Sequence, residues 1–463
     1  MNNRKSSLVT LFFLALICRL IFIFWGAAII YGDDIFINYD SFSFTRSFVN
    51  LYENGIYSFD LTNPDASYGR LPGYPIFWGI HYILFGDNAN LFAAFSQAIL
   101  DSLGCILVYL IVFRLIGSKI ASLLSGLVYC FNPFIILWVP IVGTESLGVF
   151  LTLLFFYQLI CRRDRRFYGV ILALIIVSAF YVRPYLGILF PIAAGYIFFN
   201  DQRNWRAIYA MSTVFVLLYA LWPIRNYIIS DGDLVLMKGD TPGYYNYSAD
   251  IMAARRWLLA WTTETDLYLD KIADANAEDI FMNVDKVGFQ VDEANVAVQL
   301  ARYCGTGFYH RKNHSVPAYS RCDDEVATMF EALRASYRQE HPIAYWIDVP
   351  IDNIIKYFFK TSLAERGSTG LEYLLILRII LVWVACYGVI LMFKKEIFWV
   401  ISFPIFMLIF LSFGFRQLEM RYMIQAEMVL LMFVGPGIVG LRNLVERIGG
   451  SKRSSDTKED FIS

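Results

Sequence analysis

Acidic and guanidinium residues recur in this sequence where long apolar runs begin or end. Asp33, Asp34 and Asp40 follow the first run, and Arg70 precedes Leu71-Pro72-Gly73-Tyr74-Pro75. Glu145 opens another run and Arg183-Pro184 separates two more. Arg225 and Asn226 close one, while Arg416, Glu419 and Arg421 lie between the last two. A guanidinium offers a planar fork of donors that fits phosphate in bidentate fashion. A carboxylate beside an incoming hydroxyl can take its proton. Together these groups suit chemistry on a phosphate-bearing lipid, with arginines stabilising the anion as it departs. No glycine loop of the P-loop or Rossmann kind accompanies them. His310, His314 and the cysteines follow no zinc spacing, so no metal ligand is assigned. No cofactor is required; a divalent ion such as Mg or Mn would serve only to help neutralise the phosphate.

A membrane must position these residues. Of 463 residues 57% are hydrophobic and only 17% charged, more apolar surface than a soluble chain of this length can hide. The net charge of -1 gives no field suited to nucleic acid. A helix crosses the hydrocarbon core with about 20 apolar residues. That criterion predicts an all-α polytopic membrane protein of about ten transmembrane helices, near 8–30, 92–114, 119–139, 144–161, 167–183, 185–200, 207–229, 371–393, 396–414 and 421–441. The apolar run from Tyr74 to Phe85 is short and reads as re-entrant or interfacial. The first run lacks a small-residue cleavage site and reads as a retained span.

Lys and Arg in the short connections set the orientation. With the N-terminus inside, Arg114/Lys119, Arg162 to Arg166, Arg203/Arg206, Lys394-Lys395 and the tail arginines all fall inside. Both termini are then expected to be cytoplasmic, in a bacterial inner membrane. The chain divides into a membrane module (1–229) with a first outer loop (31–90) carrying short juxtamembrane helices, an outer domain or lid (230–370) between spans seven and eight, a second membrane module (371–441) and a cytoplasmic tail (442–463). In the outer segment, Met329, Phe330, Leu333 and Tyr337 repeat with helical period. Ile351, Ile354, Ile355 and Phe358 with Lys356 and Lys360 predict an amphipathic helix on the membrane surface. Cys304 and Cys322 both fall outside, where an oxidising compartment would let them pair.

Asp40-Ser41-Phe42-Ser43-Phe44, Leu51 to Ser58, Arg70 to Pro75 and Leu84-Phe85-Gly86 resemble the first outer loop of C-type (GT-C) glycosyltransferases. The nearest families are the dolichyl-phosphate-mannose protein mannosyltransferases and the lipid A aminoarabinose transferases. Thr144-Glu145, Trp222 to Asn226 and Glu419 to Tyr422 fit the same pattern. The resemblance implies inverting transfer of a sugar from a polyprenyl-phosphate donor to a glycan, lipid or protein acceptor at the outer face. It makes Asp40 the candidate base or acceptor-positioning group, Glu145 the second acidic position, and Arg421 a residue near the donor phosphate; Arg70 and Arg225, by their placement, are further candidate contacts to that phosphate, with bracing of the loop the alternative for Arg70. Asp40 is followed by Ser41 where the family carries an Asp-Glu pair, so Asp33 and Asp34 stay as additional acidic candidates beside their reading as solvated loop residues. Glu145 can also cap its helix, and Arg183 can also reach lipid phosphates. Arg19, Asp101, Arg378 and Glu427 fall within spans and are expected to pair structurally. The alternatives are a ligase or polymerase of lipid-linked glycans, with Arg311, Arg321 or His314 as key residues, and a transporter, against which stands the lack of internal repeats.

Overall fold

The computed structural model describes residues 2–448 except 39, 63, 164–165, 202, 233, 238–248, 274–290, 305–320, 360–368, 417 and 419. Among the described residues it is all helical. The order is α1 (Asn2–Ile21, continued by a π turn and Ala27–Tyr31), α2 (Ser41–Asn54), α3 (Gly73–Phe85), α4 (Ala89–Ile116), α5 (Lys119–Cys130), α6 (Thr144–Cys161), α7 (Tyr168–Val182), α8 (Leu189–Asn200) and α9 (Trp205–Ile229). Then come α10 (Ala249–Trp261), α11 (Thr265–Ala273), α12 (Val291–Cys304), α13 (Arg321–Glu340), α14 (Val349–Phe359), α15 (Thr369–Met392), α16 (Lys395–Ile409), α17 (Met420–Leu431) and α18 (Val434–Ile448).

Six described helical runs are long and apolar enough to cross a membrane, and a seventh forms if α17 and α18, bent by 48°, count as one. The other expected spans are helical but short: Lys119–Cys130, Tyr168–Val182 and Pro184–Asn200. Length explains the difference from the expected ten, because a 12-residue helix such as α5 rises only about 18 Å. One of the six runs, Gly73–Ile116, is folded back on itself. Tyr74 bonds Gln97, Trp78 bonds Asn90, His81 bonds Ser96, and Phe85 stacks on Phe92. Thus α3 lies antiparallel on the start of α4 and does not extend it.

The main core gathers α4, α6, α7, α8, α16 and α17 around Phe155, Phe156, Leu172, Ile176 and Phe403. Charges sort to its two ends. Lys394 reaches the Leu115 carbonyl, Lys395 the Phe199 carbonyl, and Arg163 faces Asp201 at 3.8 Å. Asp40, Arg70, Glu145, Arg183 and Arg421 gather at the opposite end.

A second core belongs to residues 251–345, where Trp257, Trp261, Phe330, Leu333 and Tyr337 are buried together. The helical stripe expected at 329–337 is the face that α13 turns to α10. Cys322 is disulfide-bonded; the side chain of its expected partner, Cys304, lies outside the described residues. Cys18, Cys105, Cys130, Cys161 and Cys386 form no disulfide.

The end of the helix expected to lie on the membrane surface packs against α15. Phe358 and Phe359 meet Trp383 of α15 at ring distances of 6.0 and 6.2 Å. Tyr357 donates to Glu427 Oε2 at 3.0 Å, and its own carbonyl accepts from Arg378 Nη1 at 2.9 Å. The last carbonyls of a helix have no intrahelical donors, and hydrocarbon supplies none. Arg378 fills that need, while Glu427 neutralises Arg378 at 2.7 Å with both side chains 2% exposed. The opposite face of this helical stretch leaves Ile343, Ile347, Ile351, Ile355 and Phe359 exposed. Arg19 and Asp101 form a comparable pair at 2.7 Å, both 0% exposed, so all four expected intramembrane charges are paired.

Removing one member of a buried pair strands the other and typically costs about 3–5 kcal/mol. Arg378→Met is therefore expected to lower the thermal transition of detergent-solubilised protein markedly, and Arg378→Met with Glu427→Gln to recover part of the loss. An unchanged transition in the single variant would contradict the bracing role.

Candidate active site

Local sequence explains how each charged side chain arrives. Asn38 Oδ1 accepts the main-chain N–H of Asp40 and Ser41, each at 3.0 Å, and so fixes the start of α2. Ser41 Oγ donates to the Val142 carbonyl at 2.7 Å, and Val142 N donates to the Phe36 carbonyl at 2.8 Å. These bonds hold the Asp40 turn against the chain leading into Glu145. Arg70 precedes Pro72-Gly73, and a Cβ on Gly73 would sit 2.6 Å from the Tyr181 main chain. Glycine is needed there for close backbone approach, which brings the Arg70 segment against the end of α7. Arg183 precedes Pro184, and a pre-proline residue favours extended backbone. Its φ of -146° and ψ of 117° end α7 and turn the side chain across to α6.

The side chains converge. Asp40 bridges two guanidiniums: Oδ1 accepts from Arg70 Nη2 and Oδ2 from Arg421 Nη1, both at 2.7 Å. Arg70 Nε also donates to Ser43 Oγ at 2.7 Å and its guanidinium lies over the Phe44 ring. Arg421 donates to Tyr422 Oη at 2.8 Å. Next to this trio Arg183 pairs with Glu145 Oε1 and donates to Thr144 Oγ1 at 2.7 Å. Arg183 Nη1 reaches the Arg421 main-chain carbonyl at 3.2 Å. Tyr185 accepts from Arg183 and donates to Gln425 Oε1 at 3.0 Å. A single polar network therefore runs Arg70–Asp40–Arg421–Arg183–Glu145.

Exposure divides the network. The Asp40, Arg70 and Arg421 side chains are 31%, 28% and 30% exposed, within reach of a ligand, whereas Glu145 and Arg183 are each 6% exposed. Burial acts to raise the Asp40 pKa, but Arg70 and Arg421 outweigh it and hold the carboxyl down at about 2. Asp40 is thus ionised throughout the neutral range and, while both arginines hold it, a weak base.

The remaining candidates fall elsewhere. Arg225 donates to the Ser67 and Tyr57 carbonyls at 2.8 and 2.9 Å and to Asn226 Oδ1 at 2.8 Å, with Trp222 stacked against it. It staples the first loop to α9. Asp33 and Asp34 are exposed on the turn after α1. Glu419, Arg311, His310 and His314 lie outside the described residues, as does the Arg321 side chain. Sequence reading underrated Arg183 and passed over Tyr185 and Gln425. The Arg-Pro step was a usable signal for Arg183; nothing marked Gln425, which reads as one polar residue in an apolar helix.

No three His, Cys, Asp or Glu side chains gather to hold a metal ion among the described residues. Both Asp40 oxygens and Glu145 Oε1 face guanidiniums in this structure.

Residues 70–225, roughly a third of the chain, match the profile of a family described as dolichyl-phosphate-mannose-protein mannosyltransferase. That stretch carries Arg70, Glu145, Arg183 and Arg225. No curated protein matches the chain. Among solved structures, it resembles the Archaeoglobus fulgidus oligosaccharyltransferase tethered with an acceptor peptide, with TM-score 0.51 and 15% identity, over 99% of this chain and 52% of that one. The oligosaccharyltransferase AglB from Archaeoglobus fulgidus in complex with an inhibitory peptide and a dolichol-phosphate gives TM-score 0.49 and 14% identity, over 98% of this chain and 52% of that one. The chain thus spans about half the length of these structures, and at such identity the likeness is one of fold. The fold is of the GT-C type, on an all-helical multi-pass membrane protein.

Asp40 has a lowered pKa, so the stability it contributes is full above its unfolded value of about 3.9 and is lost as pH falls through about 2. The thermal-stability gap between wild type and Asp40→Asn is expected to stay flat from neutral pH to about 4 and to shrink below that. A gap already closing between pH 7 and 5 would contradict the double pairing.

Proposed function

We propose that this protein is a membrane glycosyltransferase that moves a sugar from a polyprenyl-phosphate donor to an acceptor hydroxyl or amide at the extracytoplasmic face, with inversion. The observation that carries this reading is Asp40, a reachable carboxylate between two reachable arginines, at the end of the bundle opposite the basic connections. The positive-inside rule puts that end outside. The mannosyltransferase profile over residues 70–225 supports the reaction class.

In this mechanism the acceptor attacks the anomeric carbon as Asp40 takes its proton. The bond from that carbon to the donor phosphate oxygen breaks, and the electron pair leaves with polyprenyl phosphate. Arg70 and Arg421 receive the added negative charge where it develops. Glu145 is too buried to meet substrate. It positions Arg183, which holds the main chain at Arg421 and so sets where that guanidinium points. Arg225 keeps the first loop in place. In this reading no step requires a metal ion.

Two variants test this with a mass-tagged polyprenyl-phosphate sugar and purified protein. Asp40→Asn is expected to lose at least about 100-fold in turnover, the scale of a missing general base, with unchanged insertion. Glu145→Gln is expected to weaken donor KM and turnover together by acting through Arg421. Full activity in Asp40→Asn would reject Asp40 as the base, and a protein inert toward every lipid-phosphate sugar would reject the reading itself.

A further inference from the structure

We infer that Asp40 and the donor phosphate compete for the same two guanidiniums, so that donor binding is what frees the carboxylate to act as a base. The inference rests on the proposed function and concerns how that site is regulated. Its basis is geometric. Each Asp40 oxygen is taken by a different arginine at 2.7 Å, one from residue 70 and one from residue 421, separated from Asp40 by 30 and 381 positions. Arg70 also donates to the Ser43 hydroxyl, and Arg421 to the hydroxyl of Tyr422. Asp40 is thus the anion that the two guanidiniums share in this structure, and it stands where a phosphate held by both would stand.

A phosphodiester oxygen that takes over Arg421 or Arg70 removes one of the two charges that keep Asp40 a weak base. The carboxylate then regains proton affinity at the moment a sugar is present to be transferred. Without donor, the paired carboxylate does not activate water or a stray acceptor. Glu145 stays on Arg183 throughout, since that pair is buried and shares no oxygen with Asp40. The arrangement lowers apparent donor affinity, because only the fraction of molecules with guanidiniums disengaged from Asp40 binds phosphate.

This has a counterintuitive consequence that binding alone can read. Calorimetric titration of the full chain in detergent with a short-chain polyprenyl phosphate is expected to show Asp40→Asn binding about tenfold more tightly than wild type. Asp40→Glu, which keeps the competing charge, is expected to stay near wild type, and Arg421→Gln to bind more weakly than either. The matching prenol, lacking phosphate, should show no difference between variants, and inorganic phosphate alone should show the same order at lower affinity. In wild type, carbodiimide labelling of Asp40, followed by mass spectrometry, should rise when the prenyl phosphate is added and stay level with the prenol. Equal or weaker binding by a folded Asp40→Asn, or labelling that does not rise, overturns the competition while leaving the glycosyltransferase reading intact. A wild-type protein that binds no prenyl phosphate overturns that reading instead.

Discussion

A carboxylate taken into an apolar helix bundle must meet a cation there or lose its charge, since desolvation costs several kcal/mol per ion. Glu145 meets Arg183, and the architecture at this end follows from that contact. It ties the first turn of α6 to the end of α7. Through the second donor of Arg183 it also reaches the main chain at Arg421, beside the start of α17. Arg421 in turn holds Asp40, at the start of α2. Four segments far apart in sequence are thereby registered by two carboxylates, and neither charge is left alone in a medium that would expel it.

The same residue types serve two purposes, separated by access. Arg19 with Asp101 and Arg378 with Glu427 are sealed within the bundle and act as cross-braces. Their hydrogen bonds go to one another, to Tyr129 or Tyr357, and to main-chain carbonyls. Asp40, Arg70 and Arg421 keep about a third of their surface open. Hydrocarbon penalises unpaired charge wherever it lies, so pairing by itself does not mark a site; a paired charge that a ligand can still touch does.

Much of this was legible in the sequence. The apolar runs located the helices because a span must be long and greasy. Arg70-Leu71-Pro72-Gly73 and Arg183-Pro184 signalled sharp local geometry, which the structure uses to aim two arginines. The number of spans was less legible. Apolarity does not distinguish a full crossing from a short helix such as α5, or from α3 folded back on α4. Partner choice was not legible at all. Nothing near Arg225 in the chain indicates that it serves the carbonyls of Tyr57 and Ser67, and nothing near Ile355 indicates that the end of its helix packs against Trp383 and Arg378 of α15. Such facts depend on contacts between segments 21 to 168 residues apart.

Arg416 adds a last feature. With a left-handed backbone (φ 60°), it projects into the second core and donates to the carbonyls of Leu259, Tyr345 and Ala260 at 2.9, 2.8 and 3.4 Å. The Tyr345 ring lies 4.1 Å from its guanidinium. Only four residues separate this anchor from Arg421. The second core is thus fastened to the membrane bundle at a point that lies, in the chain, beside the guanidinium that faces Asp40.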